Sequence, residues 1–268
     1  MTLNAVTITP ERLAQHLEEV WQANRPPIAP FSETGLLSDV NEAYAVQTLW
    51  THLRKCKGDK ILGRKIGLTS RAMQEQLGVN EPDYGSLWAS RYFPIHDGIA
   101  KIEAERFIQP RLECEVAFLL ENNLKGPGVA AEDVIAATRY VTTAVEIIDS
   151  RIENWRIKLV DTVADNASYG GFSVGVWGRE LLQRGLPNVR IALHQNGALV
   201  AEGAGSAVME DPAIAAAWLI NKLASFGVAM QAGDIILSGS VAKAVPIERG
   251  DVFEVITDKK TALRVTFT

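Results

Sequence analysis

A chain of 268 residues, 47% hydrophobic and 22% charged, is large enough to bury one sizeable core and has the balance of an ordinary water-soluble globular protein. Its net charge of −5 comes from acids and bases mixed along the chain, which excludes the basic stripe of a nucleic-acid binder. No apolar run approaches the roughly 20 residues needed to span a bilayer, and the N-terminus lacks a basic stretch followed by an apolar one. With Cys56 and Cys114 the only cysteines, a cytoplasmic protein without a disulfide is expected.

In chain order, Thr9-Pro10 opens a first helix with Thr9 as N-cap, and Leu13, Leu17, Val20 and Trp21 form its apolar stripe. Asn24–Glu33, with three prolines, reads as a loop, and Ser38 as the cap of a second helix with Ala43, Val46, Trp50 and Leu53 inward. Residues 1–57 form a helical preface packed on the main body. Lys60–Thr69 reads as a strand holding Lys65, with Gly63 and Gly67 permitting close approach of a backbone or ligand. Ser70 caps a short helix to Leu77. Glu81-Pro-Asp-Tyr-Gly85 has the composition of a turn, which puts Asp83 on a loop, either as a working carboxylate or in an Asx-turn.

Pro110–Leu120 reads as a buried strand. Side chains alternate, so Glu113 and Glu115 share one face, while Leu112, Cys114, Val116, Phe118 and Leu120 make the other apolar. Val141–Asp149 is a second apolar strand, with Glu146 mid-run. Buried carboxylates need relief. A divalent cation, a basic partner or a raised pKa would each supply it, and solvated acids at a strand end would not need it. Asp161–Ser168 is polar between apolar runs: a segment closing over a site, or a hydrogen-bonded loop. Phe172–Trp177 is a strand, Asn196-Gly197 a hairpin turn, and Asp211-Pro212 the start of a helix ending near Gly227. Short strands near the C-terminus complete a mixed, mostly antiparallel β-rich body. His16, His52, His96 and His194 are scattered and form no metal cluster, and no phosphate-binding, dinucleotide or nucleophile motif is present.

Six ordered stretches carry a resemblance: GRKIGLTSRAMQ (63–74), LGVNEPDYG (77–85), QPRLECEVAF (109–118), VEIIDSRIENW (145–155), DTVADNAS (161–168) and AGDIILSGS (232–240). Together they resemble the fumarylacetoacetate hydrolase superfamily, in its hydratase/decarboxylase branch from meta-cleavage of aromatic compounds. VDTVADNAS, following Arg151 and Trp155, is most similar to the 2-keto-4-pentenoate hydratase side of that branch. The resemblance implies an α+β fold: a mixed β-sandwich roll of the superfamily's C-terminal-domain type over residues 58–268, with an N-terminal helical cap over 1–57. It also implies Mg²⁺ or Mn²⁺ and a homo-oligomer, pentamer or decamer, possible partners being a decarboxylase or aldolase of the same route.

Carried over by position, Glu113, Glu115 and Glu146 match the metal-binding acids. Lys65 and Asp83 match groups lining the active site, and Ser168 and Ser240 match by motif alone, Ser168 as catalytic and Ser240, with Lys65, as substrate-binding. The chain departs from the C–C hydrolases of the superfamily in having no histidine between Leu68 and Asp83. The implied reaction is metal-assisted hydration of 2-hydroxypenta-2,4-dienoate to 4-hydroxy-2-oxopentanoate. The alternatives are 4-oxalocrotonate decarboxylation, with Arg64, Arg71 or Arg151 for a second carboxylate, a hexadienoate or heptenedioate homologue as substrate, and an inert partner subunit.

Overall fold

A computed structural model describes residues 9–22, 26–71, 74, 75 and 78–268. Helix α1 (Pro10–Gln22) starts where the Thr9 carbonyl receives the Arg12 and Leu13 amides, and it buries Leu13, Leu17, Val20 and Trp21. The proline-rich stretch is not wholly loop: α2 (Phe31–Thr34) forms one turn between Pro30 and Gly35, whose φ of 71° ends it. Helix α3 (Val40–Cys56) is capped by Asp39 and not by Ser38, because the Asp39 carboxylate reaches the amides of both Asn41 and Glu42. The expected helix from Ser70 to Leu77 falls partly outside the described residues, and within them the Gln74 amide donates to the Ser70 carbonyl at 3.1 Å. Among the described residues no helix is long and apolar enough to cross a membrane.

Among the described residues, twelve strands form two sheets. The first holds β1 (Ile61–Gly67), β2 (Asp83–Trp88), β4 (Arg111–Leu120), β5 (Thr138–Ile148), β6 (Tyr169–Val174), β9 (Ile235–Ser240) and β10 (Val245–Pro246). Its order is β2-β1-β9-β4-β5-β6, with β10 paired to β4. The second runs β3-β12-β11-β7-β8, from β3 (Ile99–Ile102), β7 (Arg190–Gln195), β8 (Ala198–Ala204), β11 (Val252–Thr257) and β12 (Lys260–Phe267). Every named pair is antiparallel except β1/β9 and β3/β12. The Thr143 and Thr257 hydroxyls, 2.7 Å apart, join the sheets. Helices α4 (Ala131–Ala137), α5 (Leu159–Ala164), α6 (Glu180–Arg184) and α7 (Pro212–Ala224) lie between strands in sequence, and Asp211 caps α7 through the Ala213 amide.

A further expectation is corrected. Glu81–Gly85 is not simply a turn, because Asp83, Tyr84 and Gly85 begin β2 and pair with Gly67, Ile66 and Lys65. Six consecutive residues of β2 are buried, so tertiary pairing outweighs the turn-like composition. The core is continuous from Leu13 to Phe267, and it joins Trp21 and Trp50 of the N-terminal helices to Trp88 and Tyr169 of the first sheet.

Candidate metal centre

The β4/β5 ladder sets Glu113 directly opposite Glu146, and Glu115 two residues along faces Ala144 on one side and Ser240 of β9 on the other. Strand alternation thus gathers three acids on one face, while Leu112, Cys114, Val116 and Phe118 fill the core on the other. Glu115 and Glu146 are sealed from solvent and Glu113 nearly so. One carboxylate oxygen from each lies within 4.8 Å of the other two. Glu115 Oε2 is anchored by the Gly239 amide at 2.7 Å.

Lys65 enters from β1, which runs parallel to β9 with Lys65 beside Leu237. Its Nζ lies 3.0 Å from Glu146 Oε1 and donates to the Ala167 carbonyl at 2.9 Å. Apart from that ion pair, both Glu146 oxygens and Glu115 Oε1 lack a hydrogen-bond donor. Burial raises the Glu113 pKa to about 7, with repulsion from Glu146 adding to it. Burial also lifts Glu115, helped by Glu146 and Glu113, and lifts Glu146 despite the attraction of Lys65. Desolvation opposes the Lys65 charge, yet Glu146, Asp83, Glu113 and Glu115 together hold the ammonium above its ordinary value. One ammonium is too little for this many acids. An all-oxygen donor set, buried and short of hydrogen-bond donors, fits a hard divalent cation.

Asp83 opens β2 across from Gly67 and is 2% exposed. A Cβ on Gly67 would lie 2.2 Å from Asp83 Oδ1 and 3.5 Å from Lys65 Nζ, so glycine keeps open the space between those two groups. Asp83 Oδ2 receives the Thr162 hydroxyl at 3.3 Å, and among the described residues no side chain donates to Oδ1. Burial raises the Asp83 pKa, opposed by Lys65.

The segment 161–168 holds residues that the sequence reading did not single out. It is fully buried: α5 followed by a hydrogen-bonded turn in which Asn166, Ala167 and Ser168 have φ of 53°, 51° and 53°. Three successive left-handed non-glycine residues cost about 1–2 kcal/mol each. The Asn166 amide offsets this by bonding the Ser86 backbone at both N–H (2.8 Å) and C=O (3.0 Å). Arg151, fully buried, gives Nε to Asp165 Oδ1 at 2.5 Å and its other nitrogens to the carbonyls of Asp165 (2.6 Å) and Tyr169 (2.7 Å). Asp161 accepts from the Ser32 amide and hydroxyl and so ties the helical segment to the site. This turn aims the Ala167 carbonyl at Lys65. Asn166, Asp165 and Thr162 lay inside a quoted motif, but only their neighbours across space reveal their use.

Ser168 is buried with its Oγ 3.5 Å from both Thr162 Oγ1 and Asp165 Oδ2. Ser240 lies beside Glu115, but its hydroxyl donates to the Ala242 carbonyl at 2.7 Å. Lys65, Glu113, Glu115, Glu146 and Asp83 are therefore brought together, Ser168 stands behind Asp83 through Thr162, and the Ser240 hydroxyl is engaged by its own strand end.

Residues 88–268 match the fumarylacetoacetate hydrolase C-terminal domain. This chain belongs to that family. It is 40% identical over 259 residues, 96% of this chain and 97% of the relative, to 2-hydroxyhexa-2,4-dienoate hydratase of Comamonas testosteroni. It is 39% identical over 258 residues, 96% of each, to 2-keto-4-pentenoate hydratase of Burkholderia vietnamiensis. The solved 4-oxalocrotonate decarboxylase of Pseudomonas putida G7, in complex with magnesium and adipate, superimposes with a TM-score of 0.91 at 34% identity, over 97% of each chain. As in other members of the fumarylacetoacetate hydrolase family, the fold is a mixed one of helices and curled sheets.

Proposed function

We propose that this protein is a metal-dependent hydro-lyase that adds water to 2-hydroxypenta-2,4-dienoate or its hexadienoate homologue, giving the 4-hydroxy-2-oxo acid. The observation that carries the reading is the three-acid cluster beside Lys65 and Asp83, in a chain similar over 96% of its length to hydratases of both substrates. Glu113, Glu115 and Glu146 would hold Mg²⁺ or Mn²⁺. When bound, the dication supplies Lewis acidity, a contribution of several kcal/mol where negative charge develops on oxygen.

Lys65, held cationic by the surrounding acids, pairs with the substrate's carboxylate or enolate oxygen. Asp83 moves protons. It takes the enol proton and returns it to C5, so that the remaining double bond conjugates with the ketone. It then orients the water that adds at C4 while a proton goes to C3. Burial raises its pKa, which brings a carboxyl nearer the poise such a carrier needs, a role worth roughly 10²–10⁴-fold. We read residues 1–57 as the cap and 58–268 as the catalytic body, Arg151 stacking on Trp21 and Trp50 of the cap at 5.2 Å. A homo-oligomer, pentameric or decameric, is part of this reading, as the family resemblance implies.

Decarboxylation of 4-oxalocrotonate is the second reading, favoured by the structural likeness to a decarboxylase. It needs a cation for the second carboxylate. Arg151 is saturated, the Arg71 side chain is 92% exposed and paired with Glu75, and Arg64 neighbours Lys65 on a strand and so faces away from it. That weighs toward hydration. The test is loss of ultraviolet absorbance from freshly made pentadienoate and hexadienoate, with Mg²⁺, Mn²⁺ or EDTA, and product analysis for added water. Metal-dependent hydration is expected. No turnover of either dienoate, with CO₂ released from 4-oxalocrotonate, would overturn it.

A further inference from the structure

Asp83 is buried, yet the proposed reaction asks it to be a carboxylate at one moment and a carboxyl at the next. Each form needs a different partner: the anion accepts hydrogen bonds, and the acid must donate one. A buried group whose partner suits only one form is held in that form, because the other leaves a polar atom unsatisfied. The environment of Asp83 contains one group that suits both. Thr162 Oγ1 lies 3.3 Å from Asp83 Oδ2, and Thr162 is 4% exposed. A hydroxyl can donate to the carboxylate and accept from the carboxyl. Its own proton then needs a second acceptor, and Ser168 Oγ stands 3.5 Å from Thr162 Oγ1. Ser168 in turn can hand its proton to Asp165 Oδ2, also 3.5 Å away, and keep a lone pair for Thr162.

We propose that Thr162 is a positioning residue that lets buried Asp83 alternate between its two protonation states, its hydroxyl turning between Asp83 Oδ2 and Ser168 Oγ as the proton on Asp83 comes and goes. Oδ1, which no side chain engages, is left to meet substrate. The surroundings keep the arrangement in register: Arg151 pins Asp165 from two directions, through Nε at 2.5 Å and its amide at 3.1 Å. Asn166 locks the turn between them to the Ser86 backbone. Thr162 touches neither the acid cluster nor Lys65 in any hydrogen bond, so its part is separable from metal binding.

The inference rests on the reading of Asp83 as proton carrier. In the Mg²⁺-loaded enzyme, Thr162→Val keeps the shape of the side chain and removes the hydroxyl. It is expected to lower kcat roughly 10- to 100-fold, a share of the effect typical of general acid–base groups. KM and Mn²⁺ affinity should stay within about twofold. Thr162→Ser, which keeps the hydroxyl, should restore most of kcat, and Ser168→Ala should lose less than Thr162→Val. Wild-type kcat in Thr162→Val would overturn the proposal, as would a Thr162→Ser variant as slow as Thr162→Val, since the methyl group would then be what matters. Should wild type hydrate no dienoate, the reaction assigned above fails, and Thr162 is judged by infrared spectroscopy. The Asp83 carboxyl band, identified by its loss in Asp83→Asn, must shift in Thr162→Val, and an unmoved band ends the proposal. If Thr162→Val does not fold, Thr162→Ala and Thr162→Ser carry the same comparison.

Discussion

Two buried charge clusters lie close together and are built on opposite plans. In one, the Arg151 guanidinium and Asp165 carboxylate are matched: Nε, both terminal nitrogens and the amide of Arg151 each find an acceptor. In the other, Glu113, Glu115 and Glu146 share one ammonium, and among the described residues Glu115 Oε1 and Glu146 Oε2 have neither that cation nor a hydrogen-bond donor. Full pairing marks a scaffold, since desolvated charges are tolerated only when matched. Deficient pairing is a standing cost in the folded protein, and its relief by a ligand is a source of affinity. Burial is alike between the two. The ratio of acids to cations tells them apart.

That contrast can be broken first at the scaffold. Asp165→Ala leaves Arg151 buried without its carboxylate, and a loss of about 3–5 kcal/mol of stability is expected, read by denaturant or thermal unfolding. An unchanged melt would show that the pair is dispensable. At the deficient cluster the expectation is reversed. Glu146→Gln should lower hydration roughly 10²- to 10³-fold and weaken Mn²⁺ binding, measured calorimetrically, while the cation-free protein melts no lower than wild type. Each tenfold corresponds to about 1.4 kcal/mol.

pH sharpens the same point. Burial and mutual repulsion raise Glu113 to about 7 and lift Glu115, and burial lifts Glu146 against the pull of Lys65. From the ordinary carboxyl range up to about 7 the cation-free folded protein therefore binds more protons than the unfolded chain, so its stability falls as pH rises through that window. Lys65, held above its usual value, is protonated in both states there. Melting curves across the window should show the decline without metal, and Mg²⁺ should stabilise most at its upper end, where it no longer competes with protons. The smallest effect belongs to Gly67→Ala. Its methyl intrudes on Asp83 Oδ1, and roughly tenfold slower turnover with a nearly unchanged melt is expected from assays of both.

Much of this was legible in the chain. Alternation along Pro110–Leu120 put Glu113 and Glu115 on one face, and the apolar run around Glu146 marked its strand. What alternation cannot give is register: that Glu113 meets Glu146 follows from the β4/β5 ladder, and Lys65 arrives through a parallel pairing with β9, remote in sequence. The strand position of Asp83 is hidden by turn-like neighbours, and Ser38 and the adjacent Asp39 look equivalent as caps until one of them reaches two amides. The left-handed turn at Asn166–Ser168 has no glycine to announce it. Its conformation is imposed by Arg151 and Ser86, from other parts of the chain.

The aromatic shell around Arg151 gives the molecule an optical property. Trp21, Trp50 and Trp88 crowd one another at 4.8 to 5.9 Å, two of them under the same guanidinium whose other side grips the turn that presents Ala167 to Lys65. Indole emission responds to the polarity and charge at the ring. Lifting of the N-terminal helices would expose Trp21, Trp50 and the face of Trp88 that they cover, so intrinsic fluorescence is a label-free gauge of whether those helices stay docked on the Arg151 guanidinium.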